Sequence, residues 1–314
     1  MPKKQQYRIR NWKDYNQSLV NRGSLIFWFD ERSITNWHAI SMSGQRGRPK
    51  FYSNIAIECA LTIRAVFQLS LRATEGFIGS LIKMMSLNLK APDYTTLSVR
   101  QKELEVKISI SPKKQGENVH IVVDSTGLKV FGEGEWKVRQ HGYSKRRTWR
   151  KLHLGVNAAT HEIEAVILTT NDFKDSEVLP DLLDQIDKSI VQVSGDGGYD
   201  SHEVYEDIAL RGGMPVIPPR KDAVIAQHGN SKKPVLARDK VIREIRQMGR
   251  KNWKKESNYH QRSLAETAMY RMKMLFGREL RARNFENQAT EAFVKCRALN
   301  KMTQLGMPES YLVA

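Results

Sequence analysis

Three acidic residues frame the chemistry this chain can do. Asp124 follows the apolar run His120-Ile121-Val122-Val123, Asp196 follows Val193-Ser194-Gly195, and Glu266 lies within Tyr259–Phe276, YHQRSLAETAMYRMKMLF. Small residues adjoin both aspartates: Ser125-Thr126-Gly127 after the first, Gly195, Gly197 and Gly198 around the second. They leave room for a metal ion or a phosphate to approach the backbone. Taken singly, each aspartate also reads as a turn residue or a helix cap. Taken together, a strand–Asp, a strand–Gly-Asp-Gly and a helix–Glu supply the carboxylate oxygens that Mg²⁺ or Mn²⁺ prefers. Two such ions suit phosphodiester cleavage, one activating the nucleophile and the other stabilising the leaving oxygen. Arg262 and Lys273 would hold phosphates or neutralise developing charge. His153 and His260 are further phosphate-contact candidates, but lone histidines are more often structural, and neither is assigned a ligand role.

These residues need elements to position them. On a helix, at about 100° per residue, Arg262, Glu266 and Lys273 fall within about 60° of Tyr259, in one polar stripe. Leu264, Ala265, Ala268, Met272, Leu275 and Phe276 form a separate apolar face that can pack on a core. A solvated face with a local Glu–Arg pair would give the same stripe. The run His120–Asp124 is predicted to be a strand ending at Asp124, Ser125-Thr126-Gly127 a turn, and Leu128–Phe131 the return strand of a hairpin. Leu152–Val156 and Glu162–Thr169 complete an antiparallel meander. A helix from Ser176, started or kinked by Pro180, precedes a strand at Ile190–Val193 that runs into Asp196. The helix HEVYEDIALR and the short strand Met214–Ile217 follow. Strands alternating with helices after a meander predict an α/β domain with a mixed sheet, where a rigid rim gathers catalytic side chains.

The 314 residues suffice for two modest domains. Hydrophobic content of 40% and charged content of 27% are those of a folded soluble protein. The 51 Lys and Arg against 34 Asp and Glu give a formal charge of +17. That balance favours a polyanionic partner, nucleic acid before an anionic membrane surface. No apolar run approaches the ~20 residues needed to span a bilayer, and the N-terminus lacks the apolar core of a signal peptide. Cys59 and Cys296 alone provide neither a disulfide framework nor a cysteine zinc site. A cytoplasmic, nucleoid-associated protein is expected.

Residues 1–118 read as a basic, mostly helical DNA-binding region, and 119–314 as the catalytic domain. The first 50 residues interleave basic and aromatic residues. Within them, Arg46-Gly47-Arg48-Pro49 matches the core of an AT-hook, whose arginines enter the narrow A·T minor groove; a plain basic linker fits the same residues. Asn54–Gln68, Arg72–Met85 and a helix starting at Asp93-Tyr94-Thr95 suggest a helix-turn-helix-like module, the third helix presenting Thr95, Thr96, Ser98, Arg100 and Lys102. A helical bundle packed on the catalytic domain is the alternative. Arg147 and Arg150, in the segment Lys145–Lys151, are further phosphate-contact candidates. The basic stretch 219–256 reads as a mobile phosphate-contacting loop, and a last helix is expected near Gln288–Gln304.

The spacing Tyr259-x2-Arg262-x3-Glu266-x6-Lys273 matches the Tyr-Arg-Glu-Lys signature of DDE transposases from bacterial insertion sequences. The segments VVDSTGLKVFGEGEW, SKRRTWRKLHLGVN and GDGGYDS resemble the family-five members, and the likeness runs from about Phe51 to Leu305. It implies a ribonuclease-H-like catalytic fold, a mixed sheet flanked by helices, preceded by a small helical DNA-binding region. It implies two Mg²⁺ or Mn²⁺ ions on Asp124, Asp196 and Glu266, and DNA contacts near the cleaved end from Tyr259, Arg262 and Lys273. The expected activity is recognition of terminal inverted repeats, metal-dependent cleavage and strand transfer. Its partners would be double-stranded transposon ends and target DNA, with a homo-oligomer on two paired ends and no membrane. The family pattern has Asp where this chain has Asn157, outside the acidic triad. Two alternatives stand beside this one: a DNA-binding protein or repressor derived from an inactive copy, and a ribonuclease-H-like nuclease without strand transfer.

Overall fold

The computed structural model describes residues 6–40, 49–108, 118–130, 149–227 and 234–313. Arg46, Arg48 and Arg147 lie outside them. The chain forms two compact units: Met1–Lys107 with Asn284–Ala314, and Ile108–Arg283.

The first unit begins with strand β1 (Gln6–Ile9) and helices α1 (Trp12–Asn21), α2 (Leu25–Trp28), α3 (Glu31–Thr35), α4 (Asn54–Val66), α5 (Leu71–Met84) and α6 (Tyr94–Gln101). α4 is apolar around most of its girth and buries Ala56, Ile57, Cys59, Ala60, Leu61 and Ile63. α6 starts where Asp93 caps it, accepting from the Thr95 and Thr96 amides at 2.9 and 2.8 Å. Its Arg100 is not presented outward. The side chain turns inward, donating to the Tyr52 carbonyl at 2.8 Å and to Asn54 Oδ1 at 2.6 Å. Tyr52 lies just before α4 and Asn54 is its first residue, so this cation braces α6 against α4. Thr95, Val99 and Lys102 remain exposed.

The second unit is built on one mixed sheet. Strands β2 (Asn118–Val130), β3 (Trp149–Asn157), β4 (Ile163–Thr170), β5 (Ser189–Ser194) and β6 (Met214–Val216) lie in the order β4-β3-β2-β5-β6, and β7 (Glu279–Leu280) also pairs with β2. β2–β3–β4 is an antiparallel meander; β5, β6 and β7 join in parallel. The predicted hairpin at Ser125-Thr126-Gly127 does not form. β2 runs unbroken through those residues, because β3 pairs along it from Ile121↔Asn157 to Lys129↔Trp149. A long partner strand outweighs local turn propensity, and Gly127 has the Trp149 ring against it.

Alternate residues of β2 point to opposite faces. Val119, Ile121 and Val123 enter the core formed with Leu179, Leu182, Val204, Tyr205 and Ile208, from helices α7 (Asp175–Leu183) and α8 (His202–Leu210). Helices α9 (Ala237–Met248), α10 (Arg250–Glu256) and α11 (Ser263–Phe276) follow, and α11 packs on β2 and β3.

Of the stretch 219–256, expected to be a mobile loop, the part from Ala237 to Glu256 is helical instead. Val241, Ile245 and Met248 recur at helical spacing beneath the charges and pack on the core with Trp253. Several cations are spent internally: Arg243 bonds the Gln227 carbonyl, Arg250 the Pro219 carbonyl, and Arg238 the Asp200 carboxylate.

The chain then returns to the first unit as α12 (Phe285–Leu305) and β8 (Ser310–Val313), which pairs with β1. α12 buries Ala292, Val294, Cys296, Ala298, Leu299 and Met302 in that unit. Among the described residues no single helix is long and apolar enough to cross a membrane.

Candidate active site

The two aspartates meet because β2 and β5 are parallel and in register. Their last pair is Val122↔Ser194, and Asp124 and Asp196 each stand two residues beyond it. Below them His120 Nε2 lies 2.8 Å from the Ser194 hydroxyl, tying the strands together. β5 ends at Ser194 while β2 continues, so the two chains part where the carboxylates emerge. A crevice at the carboxyl ends of parallel strands is where α/β sheets place ligands. Asp124 is thus not at a strand end, as predicted, but midway along a strand whose neighbour stops.

Asp196 is set by its glycines. A Cβ on Gly195 would stand 2.9 Å from Tyr199 Cδ2 and 3.1 Å from Val123 Cγ2, so only glycine lets the chain leave β5 this close to the core. Asp196 then caps a single 3-10 turn, Gly197–Tyr199, accepting from the Gly198 amide at 2.8 Å. Asp124 accepts from the Ser125 amide at 2.8 Å.

Glu266 comes from the predicted helix, but that segment is two pieces. Asn258 is left-handed (φ 55°, ψ 26°), Tyr259–Arg262 is a 3-10 turn, and the α-helix starts at Ser263. Ala265, Ala268, Met269, Met272 and Phe276 are its buried face. Glu266 is exposed on the other side and pairs with Arg262 at 2.6 Å. Tyr259 is largely buried, its ring flanked by Trp253 and covered by Lys254 Nζ at 4.7 Å and Arg262 Cζ at 5.8 Å. Lys273 reaches the Thr126 hydroxyl at 2.5 Å, two positions from Asp124 on the same face of β2. Arg150 pairs with Leu128, on that face again, about 13 Å along the strand.

The electrostatics join these groups. Burial pushes the Asp124 carboxyl above the usual carboxylate range; Asp196 and Glu266 add to this, while the Ser125 amide and Arg262 oppose it. Burial also raises Tyr259, with Asp196, Glu266 and Asp124 in the same sense and Arg262 against. Burial, then Arg278, lowers the Lys273 ammonium. Asp124, Asp196, Glu266, Arg262 and Tyr259 therefore share one field.

Divalent cations fit this donor set. Asp124 and Asp196 each keep an oxygen with no hydrogen-bond partner among the described residues. A Cβ on Gly198 would come within 2.9 Å of Asp196 Oδ1, so the glycine keeps the approach to that carboxylate open. The three carboxylates do not form a ready-made ligand group, since none of three or more acids, histidines or cysteines stands among the described residues. Glu266 is engaged by Arg262.

Sequence reading overlooked Asp175. It lies on the opposite face of the sheet from Asp124, 3.0 Å from Lys151 Nζ and 3.3 Å from His153 Nδ1, and the Ser125 hydroxyl donates to it. Burial alone would raise this carboxyl, but His153, Ser125 and Lys151 together hold it at about 2. The available signal was period two: Ser125 and His153 are cross-strand partners. His153 is accordingly interior, its Nε2 3.0 Å from the Thr169 hydroxyl. Asn157 caps the β3–β4 turn through the Ala159 and Thr160 amides and donates to Glu164 at 3.2 Å. An ionised Asp there could not make that last bond.

Two family profiles, each described as a transposase DDE domain, match the chain, one over residues 115–301 and one over residues 20–133. The first spans more than half of the sequence. The chain belongs to the DDE transposases. The mixed sheet flanked by helices is the fold expected for a ribonuclease-H-like transposase domain. DDE transposases generally act on DNA with divalent metal ions.

Proposed function

We propose that this transposase binds the terminal inverted repeats of its own insertion sequence, of the family-five type, cleaves the DNA there and joins the freed end to a target. The observation that carries this is the equal register of Asp124 and Asp196 beyond Val122↔Ser194, with Glu266 and Arg262 in the same electrostatic field. In this reading Asp124, Asp196 and Glu266 hold two Mg²⁺ or Mn²⁺ ions. Bound there, the ions supply Lewis acidity to an attacking oxygen and its leaving group.

The chain's own residues do the rest. The free oxygens of Asp124 and Asp196 face the crevice. Glu266 exchanges its Arg262 partner for that site, and the released guanidinium takes a phosphate oxygen in a two-pronged contact. Lys273 contributes a second cation on the same face, and Arg150 a third farther along. Tyr259 orients Arg262 by its ring and offers the strand its hydroxyl. Arg46, Arg48 and Arg147 extend the phosphate contacts. We assign end recognition to 1–118 and catalysis to 119–314. Pairing of two ends calls for a homo-oligomer, working in the bacterial cytoplasm at the nucleoid.

The test is Asp124→Asn and Glu266→Gln assayed on duplexes carrying the element's ends. End binding should survive while Mg²⁺-dependent nicking and strand transfer vanish. Retained nicking in either variant would defeat the triad. A wild-type chain that binds ends without nicking them would be a repressor, and one that nicks without joined products a plain nuclease.

A further inference from the structure

The turn that carries Asp196 cannot hold it unaided. Gly195, Gly197 and Gly198 surround the aspartate, and glycine leaves a backbone freer than any other residue does. A side chain that works at a site must nonetheless be held to within about 0.5 Å. The restraint comes from the two residues after the glycines. Tyr199 packs its ring against Gly195. Asp200 is a carboxylate that the chemistry above does not use, and its side chain is only 1% exposed. Two distant segments converge on it. Arg238 of α9 grips it with both prongs of its guanidinium, Nε 2.6 Å from Oδ1 and Nη2 3.0 Å from Oδ2. The Arg220 amide, in the chain that leaves β6, donates to Oδ2 at 2.9 Å. Only the turn Gly197–Tyr199 separates this anchor from Asp196. That turn is closed by the Tyr199 amide on the Asp196 carbonyl at 3.2 Å and the Asp200 amide on the Gly197 carbonyl at 3.3 Å.

The anchor also reaches the segment that carries Glu266. α9 leads through Gly249 into α10, whose Trp253 donates to Glu244 of α9 at 3.3 Å and lies against the Tyr259 ring. Arg250, at the start of α10, donates to the Pro219 carbonyl at 2.7 Å, one residue from the Arg220 amide that Asp200 holds. Just beyond α10 the Ser257 carbonyl accepts from Gln192 of β5 at 3.1 Å. We propose that Asp200 is a positioning residue of the acidic site. Through the 3-10 turn it fixes where the Asp196 carboxylate stands, and through Arg238 it ties that turn to the α9–α10 block from which Tyr259, Arg262 and Glu266 follow. This rests on the reading above that Asp196 and Glu266 act together. A two-pronged pair suits the task, because two parallel bonds set an orientation that one cannot. Being buried, it is also screened by salt far less than a surface pair.

The test uses Asp200→Asn and Arg238→Lys in the full-length chain, well below the Tm of each. Asparagine keeps the shape and loses the charge; lysine keeps the charge and loses the fork. In the ion-free protein the amides of residues 197–200 should exchange with solvent faster in Asp200→Asn, while those of β3 and β4 match wild type. Mn²⁺, measured by calorimetry without DNA, should bind about tenfold more weakly. Nicking at saturating Mg²⁺ and DNA should fall about 10²-fold, as for a misplacement of roughly 1 Å, with end binding by mobility shift unchanged. Arg238→Lys should move each quantity the same way by less, and it decides the matter if Asp200→Asn does not fold. Wild-type Mn²⁺ affinity and saturating rate in the folded variants would overturn the proposal. A lowered Tm would not rescue it, since the pair would then serve stability alone. Asp196→Asn separates the two levels. If it abolishes Mn²⁺ binding while Asp200→Asn matches wild type, only the role of Asp200 fails. If Mn²⁺ binding survives Asp196→Asn, the ligand reading fails and the role of Asp200 with it.

Discussion

The two faces of β2 treat carboxylates in opposite ways. On the α11 face Asp124 is half-buried, with one amide donor, two acidic neighbours and a pKa pushed up. On the other face Asp175 is equally sheltered but surrounded by Lys151, His153 and Ser125, and its pKa is held at about 2. β2 thus carries one carboxylate with a single amide donor and, through Ser125 on its other face, meets another, Asp175 of α7, with three polar neighbours. Burial is common to both, so the polar partners within reach decide the direction in which each carboxyl shifts.

The contrast breaks most visibly in activity. Asp124→Asn should lower nicking by on the order of 10³-fold, with end binding intact by mobility shift. Asp175→Asn should leave nicking measurable. The faces exchange order in stability. Asp175→Ala strands Lys151 and His153 and should cost about 2 kcal/mol in urea unfolding, a figure reduced for partial exposure. Because the folded pKa of Asp175 lies below its unfolded value, its contribution is fully present above pH ~4. It should fade as pH falls through about 2. Asp93 is a surface counterpart, also held at about 2, chiefly by the Thr95 hydroxyl with the Thr96 amide and hydroxyl. Asp93→Ala should cost about 1 kcal/mol as a lost helix cap. The smallest effect has the opposite sign. Asp124 ionises at a cost in the folded, ion-free chain, so Asp124→Asn should stabilise it at neutral pH by less than about 1 kcal/mol. That gain should disappear below the unfolded carboxylate range, and an ion-free Tm measured against pH would show it.

A good part of this was legible in the residues. The apolar face of α11 follows from Ala265, Ala268 and Met272, with Met269 the buried residue the pattern omitted. Asp93 was readable as a cap, and the Arg262–Glu266 pair as neighbours four apart on a helix. The errors share a cause. Ser125-Thr126-Gly127 has turn composition but lies in a ladder with β3. The charges of 219–256 hid Val241 and Trp253, which tie its helical part to the core. Arg100 has the composition of a DNA contact but braces two helices. In each case a partner distant in sequence decided the outcome.

By itself the sequence determined the chemistry available: three carboxylates, two cations at helical spacing from one of them, and glycines where a backbone must pass closely. It also determined the local elements whose period of two or 3.6 residues lies within a short window. Only the tertiary structure decided that Asp124 and Asp196 stand level where β5 ends and β2 goes on. It alone put Asp175 behind them. Strand register and the two faces of a sheet are set by pairing between distant segments, and a one-residue slip would send every one of these side chains to the other face.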